Sequence, residues 1–97
     1  KESKVYGGPV IFAFYKDLDF KEAGSGKFDY SVSVKGSENL QVDLLHSTDN
    51  EKWTNVGKLK RYVGNSGWQK IVWTGQPAYY FYELDVQSEG GEKIFDA

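Results

Sequence analysis

The chain has one histidine and no cysteine or methionine, so few side chains are available for chemistry. His46 stands beside Ser47. A histidine base and a serine nucleophile must lie within hydrogen-bond reach, and a third group must orient the ring. Residues 40–46, LQVDLLH, alternate so that Leu40, Val42, Leu44 and His46 share one strand face. The next residue points the opposite way, so Ser47 is badly placed to be activated by His46. The histidine therefore reads as structural or exposed. One imidazole without a thiolate also falls short of a zinc ligand set. Disulfides and thiol catalysis are excluded outright.

Carboxylates offer two further chemistries. Asp17, Asp19 and Glu22 fall within one stretch, KDLDFKEAGSGK over residues 16–27, and Ca²⁺ is a hard cation that takes several oxygen ligands. The spacing is not that of an EF-hand loop, and Lys16 and Lys21 stand among the acids, so a solvated loop is the favoured reading. Glycoside hydrolysis needs two carboxylates facing each other across a cleft roughly 5–10 Å wide. No acid pair in this sequence is singled out for that role. A metal site, a cofactor and an enzymatic activity are accordingly not expected.

Aromatic rings are the stronger signal. Seven Tyr, six Phe and three Trp make 16 % of the 97 residues, more than the interior of so small a domain readily absorbs. Tyr79, Tyr80, Phe81 and Tyr82 place rings on both faces of one strand. If Tyr80 and Tyr82 turn inward, Tyr79 and Phe81 face outward. By the same alternation Trp68 and Trp73 lie on opposite faces of theirs. Exposed Trp and Tyr rings stack on sugars or anchor protein partners with little loss of side-chain entropy. Trp68, Tyr79 and Phe81 are the candidate ligand-binding residues.

The elements that would position these residues read as strands. Residues 10–15, VIFAFY, are apolar on both faces and predict a strand buried on two sides or capped by another segment. Residues 16–27 are the longest candidate loop, with room for a single helical turn near 19–23. Residues 28–35, FDYSVSVK, give the clearest one-sided alternation. Residues 40–59 form a hairpin with a polar turn at 47–51, where Ser, Asp and Asn can hydrogen-bond their own backbone. Residues 68–74 and 78–86 are the remaining long strands, separated by Gly75-Gln76-Pro77, and Pro77 removes a ladder donor. Short pairings are expected at Val5-Tyr6 and Ile94-Phe95. No helix of ten residues is indicated. Strand and turn units at this spacing predict one all-β domain over residues 1–97. The expected architecture is an antiparallel β-sandwich of about seven strands, Ig-like or jelly-roll-like.

Residues 45–57, LHSTDNEKWTNVG, resemble a hairpin of discoidin-type (F5/8 C) and related carbohydrate-binding sandwiches. In that pattern a strand ends in Ser-x-Asp, a few polar residues follow, and a Trp opens the next strand. The similarity covers about 13 of the 97 residues. It implies a secreted β-sandwich binding module, and it assigns no binding residue. In physical terms Ser47 and Asp49 would accept backbone N–H groups in the turn while Trp53 packs across the sheet.

Charge and hydropathy set the remaining bounds. Net charge is −2 with both signs mixed along the chain, which lacks the basic footprint of a nucleic-acid binder. No apolar run approaches the roughly 20 residues that span a bilayer, so membrane insertion is not expected. The absence of Met, with Lys1-Glu2-Ser3-Lys4 at the start, fits a processed mature chain or an excised domain. Together these readings predict a small secreted, non-enzymatic binding module. Its expected partner is a glycan or an extracellular protein met through an aromatic face. A secreted effector that presents residues 16–27, such as a toxin-like protein or an enzyme inhibitor, is the alternative, as is a structural domain of a surface or phage assembly. Oligomeric state is left open.

Overall fold

The computed structural model describes residues 3–7, 12–90 and 93–96. Among them are nine strands: β1 (Ser3–Gly7), β2 (Phe12–Gly24), β3 (Lys27–Gly36), β4 (Leu40–Ser47), β5 (Thr54–Asn55), β6 (Lys60–Tyr62), β7 (Gln69–Pro77), β8 (Phe81–Ser88) and β9 (Lys93–Asp96). Sheet A runs β1-β2-β3-β7 and sheet B runs β5-β4-β8-β9, with β6 also on β4. All pairings are antiparallel. The two sheets pack face to face as a β-sandwich. Because β5 and β6 are only two and three residues long, seven strands carry the architecture.

The core follows from period-two alternation on both sheets. Sheet A contributes Ala13, Tyr15, Tyr30, Val32, Val34, Ile71 and Trp73. Sheet B contributes Leu40, Val42, Leu44, Leu84 and Val86, and Val56 and Tyr62 close its edge. Burying each of the larger side chains is worth about 1.5–3 kcal/mol, which fixes the register of every long strand. Slipping one residue would turn its whole apolar set to solvent.

Sheet B is closed on one side by an interrupted edge strand. β5 pairs with Leu45 and His46, and β6 pairs with Leu40, Gln41 and Val42. Between them the Val56 N–H donates to Leu44 O at 2.7 Å. β7 of sheet A clasps this edge with its side chains. Trp73 Nε1 donates to Lys58 O at 3.1 Å, Gln69 Nε2 donates to Arg61 O, and Gln69 Oε1 accepts the Val63 N–H. Trp73 also lies against Gly57, which has φ +66°, so a Cβ there would meet its ring at 3.3 Å.

Several expectations need correction. Residues 16–27 are not a loop and contain no helical turn: β2 runs through to Gly24 and turns at Ser25-Gly26 into β3. The alternation is hidden there by a β-bulge between the Lys16↔Ser33 and Asp19↔Ser31 pairs, with Asp17 at φ 54°. Before it Ala13 and Tyr15 face the core; after it Phe20, opposite the buried Tyr30, is on that face. The bulge flips the parity of the strand. Strand 10–15 is not buried on both sides either, since Phe12 is 53 % exposed; residues 10 and 11 lie outside the described residues. β7 continues to Pro77 through a second register shift near Gly75, whose φ is +65°. β8 starts at Phe81, so Ala78, Tyr79 and Tyr80 belong to the crossing between sheets.

Candidate functional site: the outer face of sheet A

The expected site residues are not gathered in one place. Trp68 immediately precedes β7, whereas Tyr79 follows it and Phe81 opens β8 opposite Ser47. A nine-residue strand separates them, roughly 30 Å at the usual rise. Phe81 is 40 % exposed on the outer face of sheet B. Tyr79 does not share that face: its ring stacks on His46 with centroids 3.7 Å apart. Tyr80, expected inward, is 86 % exposed. The alternation on which those expectations rest stops at Phe81, where β8 begins.

The His46 neighbourhood is a packed one. Its ring also meets Tyr82 edge-on, and Nδ1 is buried with no hydrogen-bond partner. Burial pushes the imidazole below its ordinary value, because the charged form loses its hydration. Ser47, itself buried, is used by the turn. Its Oγ donates to Asp49 Oδ1 at 3.0 Å and accepts the N–H groups of Asp49 and Asn50. Asp49 Oδ1 in turn accepts the N–H groups of Glu51 and Lys52, which hold its carboxyl below the ordinary carboxylate range. The Ser-x-Asp pair thus serves the turn, and His46 and Ser47 form no nucleophile–base pair.

Side chains that do come together lie on the outer face of sheet A. The register sets them in rows: Phe14 beside Lys35, then Lys16–Ser33–Lys70, then Asp19–Ser31–Val72, then Lys21–Asp29. Trp68 ends the first row. Phe14 meets its indole edge-on at 6.4 Å, the Lys16 ammonium lies 4.2 Å from the ring centroid, and that of Lys35 lies 6.0 Å away. These contacts orient the ring by cation–π attraction while leaving Trp68 41 % exposed.

Two depressions cross these rows. One, of about 310 Å³, is lined by Asp17, Asp19, Ser31, Val32, Ser33 and Lys70. The other, of about 240 Å³, shares Asp19, Ser31 and Lys70 with it and continues toward Lys21 and Asp29. They form one shallow groove with a serine floor and an ionic rim. The bulge at Asp17 widens it by putting both Asp17 and Asp19 on its β2 wall. Asp29 is held by a hydrogen bond, since its Oδ1 accepts the Gly75 N–H at 3.0 Å.

Lys16, Lys35 and Lys70 lie toward the Trp68 end, and Asp19, Lys21 and Asp29 lie toward the other. Carboxylates accept, ammonium groups donate and hydroxyls do both, so the groove presents donors and acceptors side by side. No group of three or more His, Cys, Asp or Glu able to hold a metal occurs among the described residues. The sequence offered Trp68 as a candidate but not Lys16, Ser31, Ser33 and Lys70, which the register brings near it. The alternation that sets Ser31, Ser33 and Lys70 outward was visible in residues 28–35 and 68–74; the strand placement of Lys16 and the pairing of β3 with β7 were not.

No protein-family model, curated protein or solved structure matches the chain.

Proposed function

We propose that the chain is a non-enzymatic, extracellular binding module that holds a neutral glycan in the groove on sheet A. The observation that carries this reading is the groove itself: a two-serine floor flanked by carboxylates and ammonium groups and ended by a partly exposed indole. A pyranose offers a ring of hydroxyls, each donor and acceptor, and an apolar face of C–H bonds. Asp17 and Asp19 accept from the hydroxyls, Lys16 and Lys70 donate to them, and Trp68 covers the apolar face. Asp17, Asp19 and Asp29, interspersed with the lysines, disfavour a polyanion along the whole groove. Tyr79 and Phe81 take no part in this site.

Amide NMR titration with neutral oligosaccharides (gluco-, xylo-, manno- and chito-) tests the proposal. Shifts should cluster at Ser31, Ser33, Trp68 and Lys70. Trp68→Ala should weaken binding about tenfold, the equivalent of ~1.4 kcal/mol. Shifts confined to residues 79–82, or no response to any neutral sugar, would overturn it.

A further inference from the structure

A second cavity lies on the other side of the bulge, between the sheets. It has a volume of about 300 Å³, and its floor includes Leu44 and Leu84, both essentially inaccessible core residues. Aromatic rings make one wall. Phe20 stacks on Tyr30 with centroids 5.9 Å apart, and Tyr30 lies 4.2 Å from Tyr82. Phe28 backs Phe20 edge-on at 6.2 Å. Leu18, Phe20 and Tyr80 frame the mouth and are 41, 66 and 86 % exposed. Large apolar side chains left at a solvent boundary, around a cleft that reaches the core, are the ordinary marks of a ligand site.

The bulge sorts the side chains of β2 between this cleft and the groove. Asp17 holds a left-handed conformation, φ 54°, which a non-glycine residue adopts at some cost. Uninterrupted alternation from Ala13 and Tyr15 would have sent Asp17 and Asp19 inward. Instead both carboxylates line the groove, while Leu18 and Phe20 take the inner side. Asp19 borders the cleft from the outward row of Ser31 and Val72, with Lys16, Lys70 and Lys21 in the adjoining rows.

What the cleft itself offers is uncharged. Lys, Arg and His do not occur among its described lining residues. The Tyr82 hydroxyl donates to Pro77 O at 2.7 Å and is already used. Burial, and then the Tyr82 hydroxyl beside it, push the Tyr30 phenol above its ordinary range, so it stays neutral. An ionised group entering here would lose its hydration without gaining an opposite charge inside. Size narrows the class further. A dry apolar cavity of roughly 150 Å³ takes up a single benzene ring, and this one is about twice as large. Left unfilled, it deprives Leu44 and Leu84 of partner atoms on one side, contacts that a flat apolar body restores.

We propose that this cleft binds a neutral, largely apolar aromatic molecule of about two fused rings. The rings enter between the tyrosine wall and the leucines, and any polar substituent stays at the mouth. The glycan groove is a separate site, and this inference does not rest on it.

Three probes with one naphthalene body test it by amide NMR on the whole chain: 2-naphthylmethanol, 2-naphthylmethylamine and 2-naphthoate. The alcohol should give saturable shifts at Leu18, Phe20, Tyr80 and Tyr82 and leave Ser33 and Trp68 unmoved. It should bind at least about fivefold tighter than either ion, whose charge must leave water to enter. Tyr80→Ala should weaken the alcohol about threefold or more, and the high exposure of Tyr80 keeps the fold out of question. Three results would each overturn the proposal. One is no shift at the cleft, or unsaturable shifts spread over other exposed apolar residues such as Phe12, Leu59 and Val63. The others are an ion that binds as tightly as the alcohol, and an affinity untouched by Tyr80→Ala.

Discussion

Tyr62 joins the two sheets and holds the loop that carries Trp68, so its hydroxyl offers a sharp test of the packing. The side chain is 1 % exposed in β6, and its O–H is shared between Gly67 O at 2.9 Å and Gly36 O at 3.2 Å. One proton serves both, so this is a three-centre bond. Tyr62→Phe keeps the ring and opens no significant cavity. Gly36 O retains the Asn65 N–H at 3.0 Å, so only Gly67 O is left without this partner. One lost hydrogen bond plus one poorly satisfied carbonyl is worth about 1–2 kcal/mol. For a domain of this size that lowers Tm by roughly 5–15 °C. Urea unfolding followed by tryptophan fluorescence measures it directly. The midpoint should fall with an unchanged slope, because the surface exposed on unfolding is the same. Gly67 adjoins Trp68, so amide exchange should also quicken over residues 63–68. A stability loss below about 0.3 kcal/mol would refute the claim that this hydroxyl ties the sheets together.

Two further substitutions test the frame. Gly64 sits against the backbone of Glu38 and Asn39, and a Cβ there would lie 2.5 Å from the Glu38 carbonyl carbon. Gly64→Ala should therefore cost more than about 3 kcal/mol by forcing two backbone segments apart; a change under 1 kcal/mol in urea titration would show that the segments yield freely. Asp43 and Asp85 face each other across β4 and β8, and Asp96 of β9 is the register partner of Asp85. Burial pushes the Asp43 carboxyl up, the Leu44 N–H pulls it down, and the charge of Asp85 raises it again. A carboxyl raised by folding contributes stability that is full below its ordinary range and is lost as pH rises through the raised value. Asp85→Asn should thus raise stability at pH 7, by up to about 1 kcal/mol, and the advantage should shrink at acid pH. Urea midpoints that are equal, or lower for the variant, at pH 7 would contradict this.

How far the fold could be read depended on the phase of each strand. Residues 28–35 carry an unbroken alternation, and β3 has Tyr30, Val32 and Val34 buried as that pattern dictates. Residues 68–74 behave the same way: Ile71 and Trp73 are buried, and Val72 is exposed. Residues 16–27 looked like a loop because the bulge at Asp17 shifts the phase midway, so that neither half alternates with the other. The crossing at Ala78, Tyr79 and Tyr80 failed in the opposite sense. An apparent alternation continued past the true start of β8, and it assigned Tyr79 and Tyr80 to faces of a strand they do not belong to.

The sequence by itself determined the class of the protein: all-β, without cysteine, with a surplus of aromatic rings. Period-two patterning and turn-forming residues are local properties, and they survive in the chain without knowledge of its partners. Only the tertiary structure decided which strands are neighbours. The groove needs Lys16, Ser33 and Lys70 in one row, and those residues come from β2, β3 and β7, with three sheet-B strands between the last two in sequence. Such juxtapositions are set by how two sheets share one core, a long-range condition that alternation within a strand does not encode. That is why Trp68 was legible as a candidate and its companions were not.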